Sequence, residues 1–331
     1  MTAGQRTVAV LGLGSIGSRH LEVLRRIPGV EAIAVPARSR KVGAEATAAT
    51  LAEAVELGAT ACVIATNTGR HAEDTHAALE LGLDVLVEKP LSVGAAEAHR
   101  MRVAADRTGR RLFVGYVLRF SASLGCFRAQ LGTLGRLHSV RIECQSFLPD
   151  WRPERPYRES YSASATEGGV LRDLSHEIDY AGWLFGWPVE LEARVENLGR
   201  LGIAGEEAAD LMWQRTDGCV VSVRLDYLTR PARRRILAAG ENGTLEWDAL
   251  SMSVTLQGLD QPAAVSTIPQ TRDELLTSED QAFLAATNRA AAAPADSRLA
   301  TAEDGIRSLA ICDAARRASA SRRREDVDYL S

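Results

Sequence analysis

Short, wholly apolar runs alternate with segments of helical period through the first third of the chain. Val8-Ala9-Val10-Leu11 suits a strand buried on both faces, and "SRHLEVLRRI" then carries apolar residues at helical spacing until Pro28-Gly29 stops it. "EAIAV" begins where a second parallel strand is due, closing a βαβ unit of roughly 30 residues. The alternation continues through the strand "ATACVIAT", the helix "HAEDTHAALELG" ending on Gly82, the strand "DVLVEK", the helix "GAAEAHRMRVAADRTG" and the strand "RLFVGYV". This order predicts an α/β domain over residues 1–119 built on a doubly wound parallel sheet.

Beyond residue 119 the pattern becomes that of half-buried strands joined by short turns such as Glu241-Asn242-Gly243. "GRLHSVRIECQSF", "CVVSVRLDYL", "RRRILAAG", "GTLEWDA" and "SMSVTLQGL" predict an α+β domain over residues 120–331 with a largely antiparallel, open-faced sheet. Helices are expected to flank it, near 171–185, 278–291 and 302–319. "VVSVRLDYL" alternates Val221, Val223 and Leu225 against Ser222, Arg224 and Asp226, so one side of the sheet needs a cover that another subunit can supply.

Composition narrows the function classes. With 331 residues, 46% of them hydrophobic, the chain can bury the core of two domains. Thirty-nine Lys plus Arg against 43 Asp plus Glu leave a charge of −4, which argues against bulk attraction to nucleic acid. The five cysteines, at 62, 126, 144, 219 and 312, show neither CxxC nor zinc-ligand spacing, so no metal site is expected and a reducing cytoplasm is. No leader pattern opens the chain, and no uninterrupted apolar run reaches about 18 residues, so membrane insertion is not expected.

The chemistry starts at Gly12-x-Gly14-x-x-Gly17, which follows a strand and opens a helix whose first residues are Ser15 and Ile16. In that setting Gly12 makes the tight turn, Gly14 lets the backbone approach a pyrophosphate, and Gly17 allows close helix packing: a Rossmann dinucleotide site. Twenty residues past Gly17, where NAD-binding chains usually place a carboxylate for the ribose hydroxyl, stands Ala37. Arg38-Ser39-Arg40-Lys41 follow, suited to a 2′-phosphate. NADP(H) is therefore preferred, with NAD(H) as the alternative; the bland reading is a solvated basic turn.

Glu88 and Lys89 stand at a strand's carboxyl end, where such sheets bind ligands, although an EK pair there also makes an ordinary salt bridge. Asp173, His176 and Asp179 recur every third residue after Gly168-Gly169 and share one helix face. Spacing alone describes a solvated face. Apolar neighbours Leu171, Leu174, Ile178, Trp183 and Leu184 favour a site with His176 as proton carrier and Asp179 structural. Upstream, "FLPDWRPERPYRESY" sets Trp151, Tyr157 and Tyr161 among Arg152, Arg155 and Arg158. The loop suits either a sugar face with an anionic group or a subunit contact, and both readings stand open.

Taken in order, Gly12-Leu13-Gly14-Ser15-Ile16-Gly17, Ala65-Thr66 with His71, Glu88-Lys89-Pro90, Gly115-Tyr116 through Arg119-Phe120, and the glycine-Asp173-His176 segment resemble the Gfo/Idh/MocA oxidoreductases over nearly the whole chain. The resemblance implies that Lys89 and His176 flank the reacting carbon of a sugar or cyclitol and that Lys89-Pro90 is a cis peptide. It implies cofactor roles for Thr66, Asn67, His71, Glu88 and Lys89, and substrate roles for Tyr116, Arg119, Trp151, Arg152, Arg158, Asp173 and His176. Homodimers or homotetramers formed through the C-terminal sheet are implied too. Many relatives space the Asp and His of this segment as i to i+4, whereas Asp173 and His176 are i to i+3. Asp173 is therefore left three roles: contacting Lys89, orienting His176 or binding substrate. This shorter form with its upstream loop resembles a subgroup of surface-sugar and nucleotide-sugar pathways.

The expected activity is NADP-dependent hydride transfer at a secondary alcohol or ketone carbon of a sugar derivative, nucleotide-linked or acidic. The alternatives are a cyclitol dehydrogenase and a non-catalytic regulator that senses dinucleotide or sugar. If Arg38 and Arg40 hold a 2′-phosphate, calorimetric titration will show tighter binding of NADPH than of NADH, and Arg38→Ala will erode the difference. A clear NADH preference in the parent protein overturns the assignment.

Overall fold

Val8, Ala9 and Val10, Cys62, Val63 and Ile64, and Val85, Leu86 and Val87 are each at most 1% exposed, because both faces of the strands that carry them are covered. In the computed structural model, which describes residues 6–36, 47–288 and 295–329, these runs are the centre of a six-stranded sheet. Its parallel strands are β1 (Arg6–Leu11), β2 (Val30–Val35), β3 (Ala59–Ile64), β4 (Asp84–Glu88) and β5 (Leu112–Gly115). The short β14 (Ala300–Thr301) adds to β5 in the antiparallel sense. In the order β14-β5-β4-β3-β1-β2, successive connections leave β1 on opposite sides, which makes β1/β3 the topological switch point. The crossovers hold α1 (Ser15–Arg26), α2 (Leu51–Glu56), α3 (His71–Glu80) and α4 (Ala95–Thr108).

The chain forms two compact units, and the first is Met1–Phe120 together with Thr271–Ile306. Residues 271–306, assigned from the sequence to the domain 120–331, thus group with the nucleotide-type sheet. The reason is apolar burial. Helix α8 (Arg272–Thr287) places Ala282, Phe283, Leu284 and Ala286 in one core with Val8, Val10, Leu24 and Phe113. Phe283 meets Phe113 edge-on at 6.1 Å. Helix α8 starts earlier than the predicted 278, because Thr271 and Glu274 form a reciprocal capping box.

The second unit, Ser121–Gln270 with Arg307–Ser331, holds a nine-stranded sheet. Its strands are β6 (Leu137–Gln145), β7 (Glu190–Glu196), β8 (Ala208–Gln214), β9 (Val220–Asp226), β10 (Arg233–Gly240), β11 (Gly243–Asp248), β12 (Ser253–Gly258), β13 (Ala264–Thr267) and β15 (Glu325–Asp326). The order is β13-β12-β11-β10-β6-β9-β8-β7-β15. Pairing is antiparallel except between β6 and β9, so the sheet is mixed. Val140, Ile142, Val221, Val223, Leu225, Ile236, Leu245 and Trp247 point to one buried face. That face packs on α5 (Ala122–Gln130), α6 (Val170–Asp173) and α7 (Ser175–Phe185). Arg141, Glu143, Asp210, Met212, Ser222 and Arg224 alternate onto the other face, around a shallow depression of 460 Å³.

The helix predicted over 171–185 is two helices broken at Leu174 (φ −99°, ψ 29°), and α9 (Ala302–Ser321) matches the last predicted one closely. Among the described residues, no helix is long and apolar enough to cross a membrane.

Candidate active site

The glycines after β1 differ in what a side chain would meet. At Gly12 (φ +95°) a Cβ would lie 2.8 Å from the Ala65 carbonyl, and at Gly17 one would lie 1.8 Å from the Gly12 oxygen. Both glycines are demanded by the protein's own backbone. At Gly14 a Cβ would meet nothing within 4 Å, so that glycine faces open space a ligand can enter. Gly14 is also the N-cap of α1, which begins at Ser15 and Ile16 with no side-chain cap and no acidic residue in its first turn. Peptide N–H groups and the positive end of the helix dipole are thus presented to an anion, and the loop fits a dinucleotide pyrophosphate. Arg38, Ser39 and Arg40 lie outside the described residues.

Past β3, the Thr66 hydroxyl donates to Asp74 at 2.8 Å, and Arg70 pairs with the same carboxylate at 2.7 Å. Asn67 is exposed at the start of a short turn. His71, 1% exposed, spans two backbone segments: Nδ1 lies 2.8 Å from the Pro90 carbonyl oxygen and Nε2 lies 3.1 Å from that of Thr66. Burial pulls its pKa below the ordinary 6.5, against the raising effect of those carbonyls. A neutral ring has one N–H to donate, so His71 bonds one of these two carbonyls, of which that of Pro90, after β4, is the nearer.

At the end of β4, Lys89 is half-buried and the Lys89–Pro90 peptide is cis, as the resemblance implies. Glu88 turns back on the chain: Oε2 accepts the Lys89 backbone N–H at 3.1 Å, and Oε1 lies 3.1 Å from His20 Nε2. The other nitrogen of His20 lies 2.8 Å from Asp280 Oδ1 on α8. His20 is fully buried. Burial opposes its charge, but Asp280 and Glu88 outweigh burial and hold its pKa well above 6.5. Burial likewise opposes ionisation of Glu88, yet its bond to His20 and the cations beside it bring its pKa below the usual 4.5. Tyr116 and Arg119 are also buried, and Arg119 reaches Asp304 at 3.3 Å.

In the second unit, the ridge is not a wet helix face. Asp173, His176 and Asp179 are 4%, 9% and 1% exposed. Asp173 ends α6 and His176 lies in the first turn of α7, so the break at Leu174, rather than one continuous helix, sets their directions. Asp173 Oδ2 accepts the Tyr227 hydroxyl at 2.7 Å. The paired glycines serve internal packing, since a Cβ would lie 2.2 Å from the Tyr161 oxygen at Gly168 and 2.4 Å from the Glu206 carboxylate at Gly169.

The arginine-rich loop is pinned to its own unit. Trp151 stands edge-on to Tyr227 at 5.4 Å and donates to Ser146 at 2.9 Å. Arg158 Nε and the Tyr157 hydroxyl both donate to the Leu201 carbonyl at 3.0 Å. Arg152 and Arg155 are exposed. Arg230 holds the loop through both oxygens of Asp150 at 2.9 Å and stacks over Phe147 at 3.6 Å.

The N-terminal segment 6–116 matches the family model described as "Oxidoreductase family, NAD-binding Rossmann fold", and segment 128–246 matches "GFO/IDH/MocA C-terminal domain". The chain belongs to the Gfo/Idh/MocA family. It is an oxidoreductase of a family that acts on CH–OH groups. It is similar to a myo-inositol dehydrogenase of Streptomyces leeuwenhoekii, 29% identical over 95% of this chain and 98% of that protein. An inositol 2-dehydrogenase of Streptomyces avermitilis is 34% identical over 54% of this chain and 53% of its own length. Among solved structures, an inositol dehydrogenase homologue complexed with NAD+ from Azotobacter vinelandii shares the fold, with a TM-score of 0.84 at 18% identity over 98% of each chain.

Sequence reading missed His20, Asp280, Tyr227 and the pair Glu177–Arg234, which is closed at 2.7 Å with Glu177 fully buried. Only His20 offered a local signal, lying three residues past Gly17 on the first helix of this Gfo/Idh/MocA chain. The lowered pKa of His71 gives a test of its place in the site. The unfolded chain takes up a proton near pH 6.5 that the folded protein resists, so the contribution of His71 is fully present above 6.5 and is lost as pH falls from there through the folded value. In urea unfolding, the stability difference between parent and His71→Asn will be widest above pH 6.5 and narrow on the acid side. A difference independent of pH contradicts the buried neutral ring.

Proposed function

We propose that this protein is an NADP-dependent dehydrogenase that moves a hydride between the nicotinamide and a ring carbon bearing a secondary hydroxyl, in a neutral cyclitol or sugar. The observation that carries the reading is Lys89, held at the carboxyl end of β4 through its own backbone, on the edge of the sheet where the glycine loop opens. In this reading the first unit binds the cofactor and the second binds substrate and mediates assembly.

The loop Gly12–Gly17, Thr66, Asn67, Glu88 and Lys89 would hold the dinucleotide, with Arg38, Ser39 and Arg40 at the 2′-phosphate. His71 serves the site through the backbone at Thr66 or Pro90. When bound, the nicotinamide takes or returns the hydride. The Lys89 ammonium hydrogen-bonds the substrate oxygen and stabilises the negative charge it gains as its proton leaves, charge that collapses into the carbonyl as hydride departs from carbon. His176 accepts the hydroxyl proton, and in the reverse direction returns it to the carbonyl oxygen. Asp173, held by Tyr227, binds substrate or orients His176.

Two observations support a neutral ring over an anionic sugar. Arg158 donates its Nε–H to the Leu201 carbonyl, and a relative matched along almost its whole length is a myo-inositol dehydrogenase. Tyr116, Arg119, Trp151 and Arg152 keep the substrate roles implied by family membership.

The experiment is a panel of inositols, free sugars, sugar phosphates, uronates and nucleotide sugars, read by nicotinamide absorbance with each cofactor. Neutral cyclitols or sugars are expected to give the highest kcat/KM. With the best substrate, Lys89→Met and His176→Ala will each slow single-turnover hydride transfer by about 10²–10⁴-fold while cofactor affinity stays intact. Near-normal transfer in both variants refutes the assigned roles. An anionic best substrate whose KM rises in Arg152→Ala would restore the acidic-sugar reading.

The polar face of the second sheet is proposed as the subunit interface of a homodimer or homotetramer. Its charges are partly paired within the sheet, Arg235 with Glu143 at 2.7 Å and Arg224 with Asp210, leaving Met212 44% exposed among them. Light scattering at micromolar concentration should return a dimer or tetramer mass; a monomer alone overturns this interface.

A further inference from the structure

The first unit lines up three ionisable side chains in a row, Glu88, His20 and Asp280, with His20 and Asp280 fully buried and Glu88 partly so. A neutral imidazole has one N–H to donate, but His20 faces a carboxylate oxygen at each nitrogen, at 2.8 and 3.1 Å. The ring is therefore held as an imidazolium that donates to both. Such a chain is costly inside a protein, where apolar side chains of equal volume would pack with less loss of hydration. It also leads somewhere: the second oxygen of Glu88 accepts the N–H of Lys89 at 3.1 Å.

We infer that His20 and Asp280 are positioning residues for Lys89: they anchor the Glu88 carboxylate so that it grips the Lys89 amide and aims the lysine side chain. Asp280 is delivered by the segment that returns to the first unit. On α8 it lies seven residues, about two helical turns, after Asp273, and so on the same face. Asp273 pairs with Arg19 at 2.6 Å and with Arg26 at 2.8 Å, both on α1, the helix that carries His20. Leu21 and Leu24 of α1 share a core with Ala282, Phe283 and Ala286 of α8, the partly exposed Asp273 pairs bridge the same two helices, and Asp280 meets the ring between them. From the other side, His71 holds the Pro90 carbonyl at 2.8 Å, so the Lys89-Pro90 dipeptide is gripped at both ends.

This inference rests on the reading of Lys89 as the substrate lysine, and the test separates the two. His20→Gln and Asp280→Asn are prepared alone and in combination with Lys89→Met. Hydride transfer is measured by single turnover at saturating substrate and NADPH or NADP+, with cofactor Kd and the thermal midpoint recorded for each. Each single variant is expected to slow transfer by about 10–100-fold, the scale of a misplaced reacting group, with cofactor Kd and substrate KM within about twofold. In the Lys89→Met background the same changes should have no further effect, because the lysine they position is gone. An equal loss with and without Lys89, or unchanged transfer in the single variants beside an impaired Lys89→Met, overturns the positioning role and leaves the proposed function standing. Near-normal transfer in Lys89→Met overturns both. Where His20→Gln does not fold, Asp280→Asn decides, since it keeps the shape and an acceptor oxygen for His20.

Discussion

The carboxyl edge of the first sheet depends on two missing side chains. Gly12 and Gly17 let the β1 loop, the start of α1 and the end of β3 approach within distances no Cβ would permit. Once they touch, the Gly14 backbone faces open space, the α1 N-terminus points at it, and β1/β3 becomes a crevice. His71 reaches the Thr66 and Pro90 carbonyls only because β3 and β4 end level with one another. The same carboxyl edge carries Lys89, directly after β4.

Each unit invests buried charge beside its candidate chemistry. In the first, the Glu88–His20–Asp280 chain ends on the Lys89 amide. In the second, Glu177 is fully buried against Arg234, and Asp173 is bound by Tyr227, both within four residues of His176. Loss of hydration makes such groups expensive unless every one is paired, so they also hold the local backbone rigid.

The second sheet has a different logic. Its inner face is apolar and covered by α5, α6 and α7, while its outer face mixes ion pairs with an exposed Met212. The single parallel contact between β6 and β9 brings the end of β9 level with the end of β6. Tyr227, just past β9, then lies where it can reach both Asp173 and Trp151.

Local patterns in the sequence by themselves determined the doubly wound first sheet, the glycine loop, the charged end of β4 and the mostly antiparallel second sheet. Each is written in residues a few positions apart, where apolar periodicity and backbone sterics act directly. The Thr271-x-x-Glu274 capping box was equally legible and would have placed the start of α8. Only the tertiary structure decided that α8 joins the first unit, that the 171–185 helix breaks at Leu174, and that Arg158 is engaged with a backbone carbonyl. It alone paired His20 with Asp280 across 260 positions and Tyr227 with Asp173 across 54. Such pairings are made through space by packing, and no spacing along the chain records them.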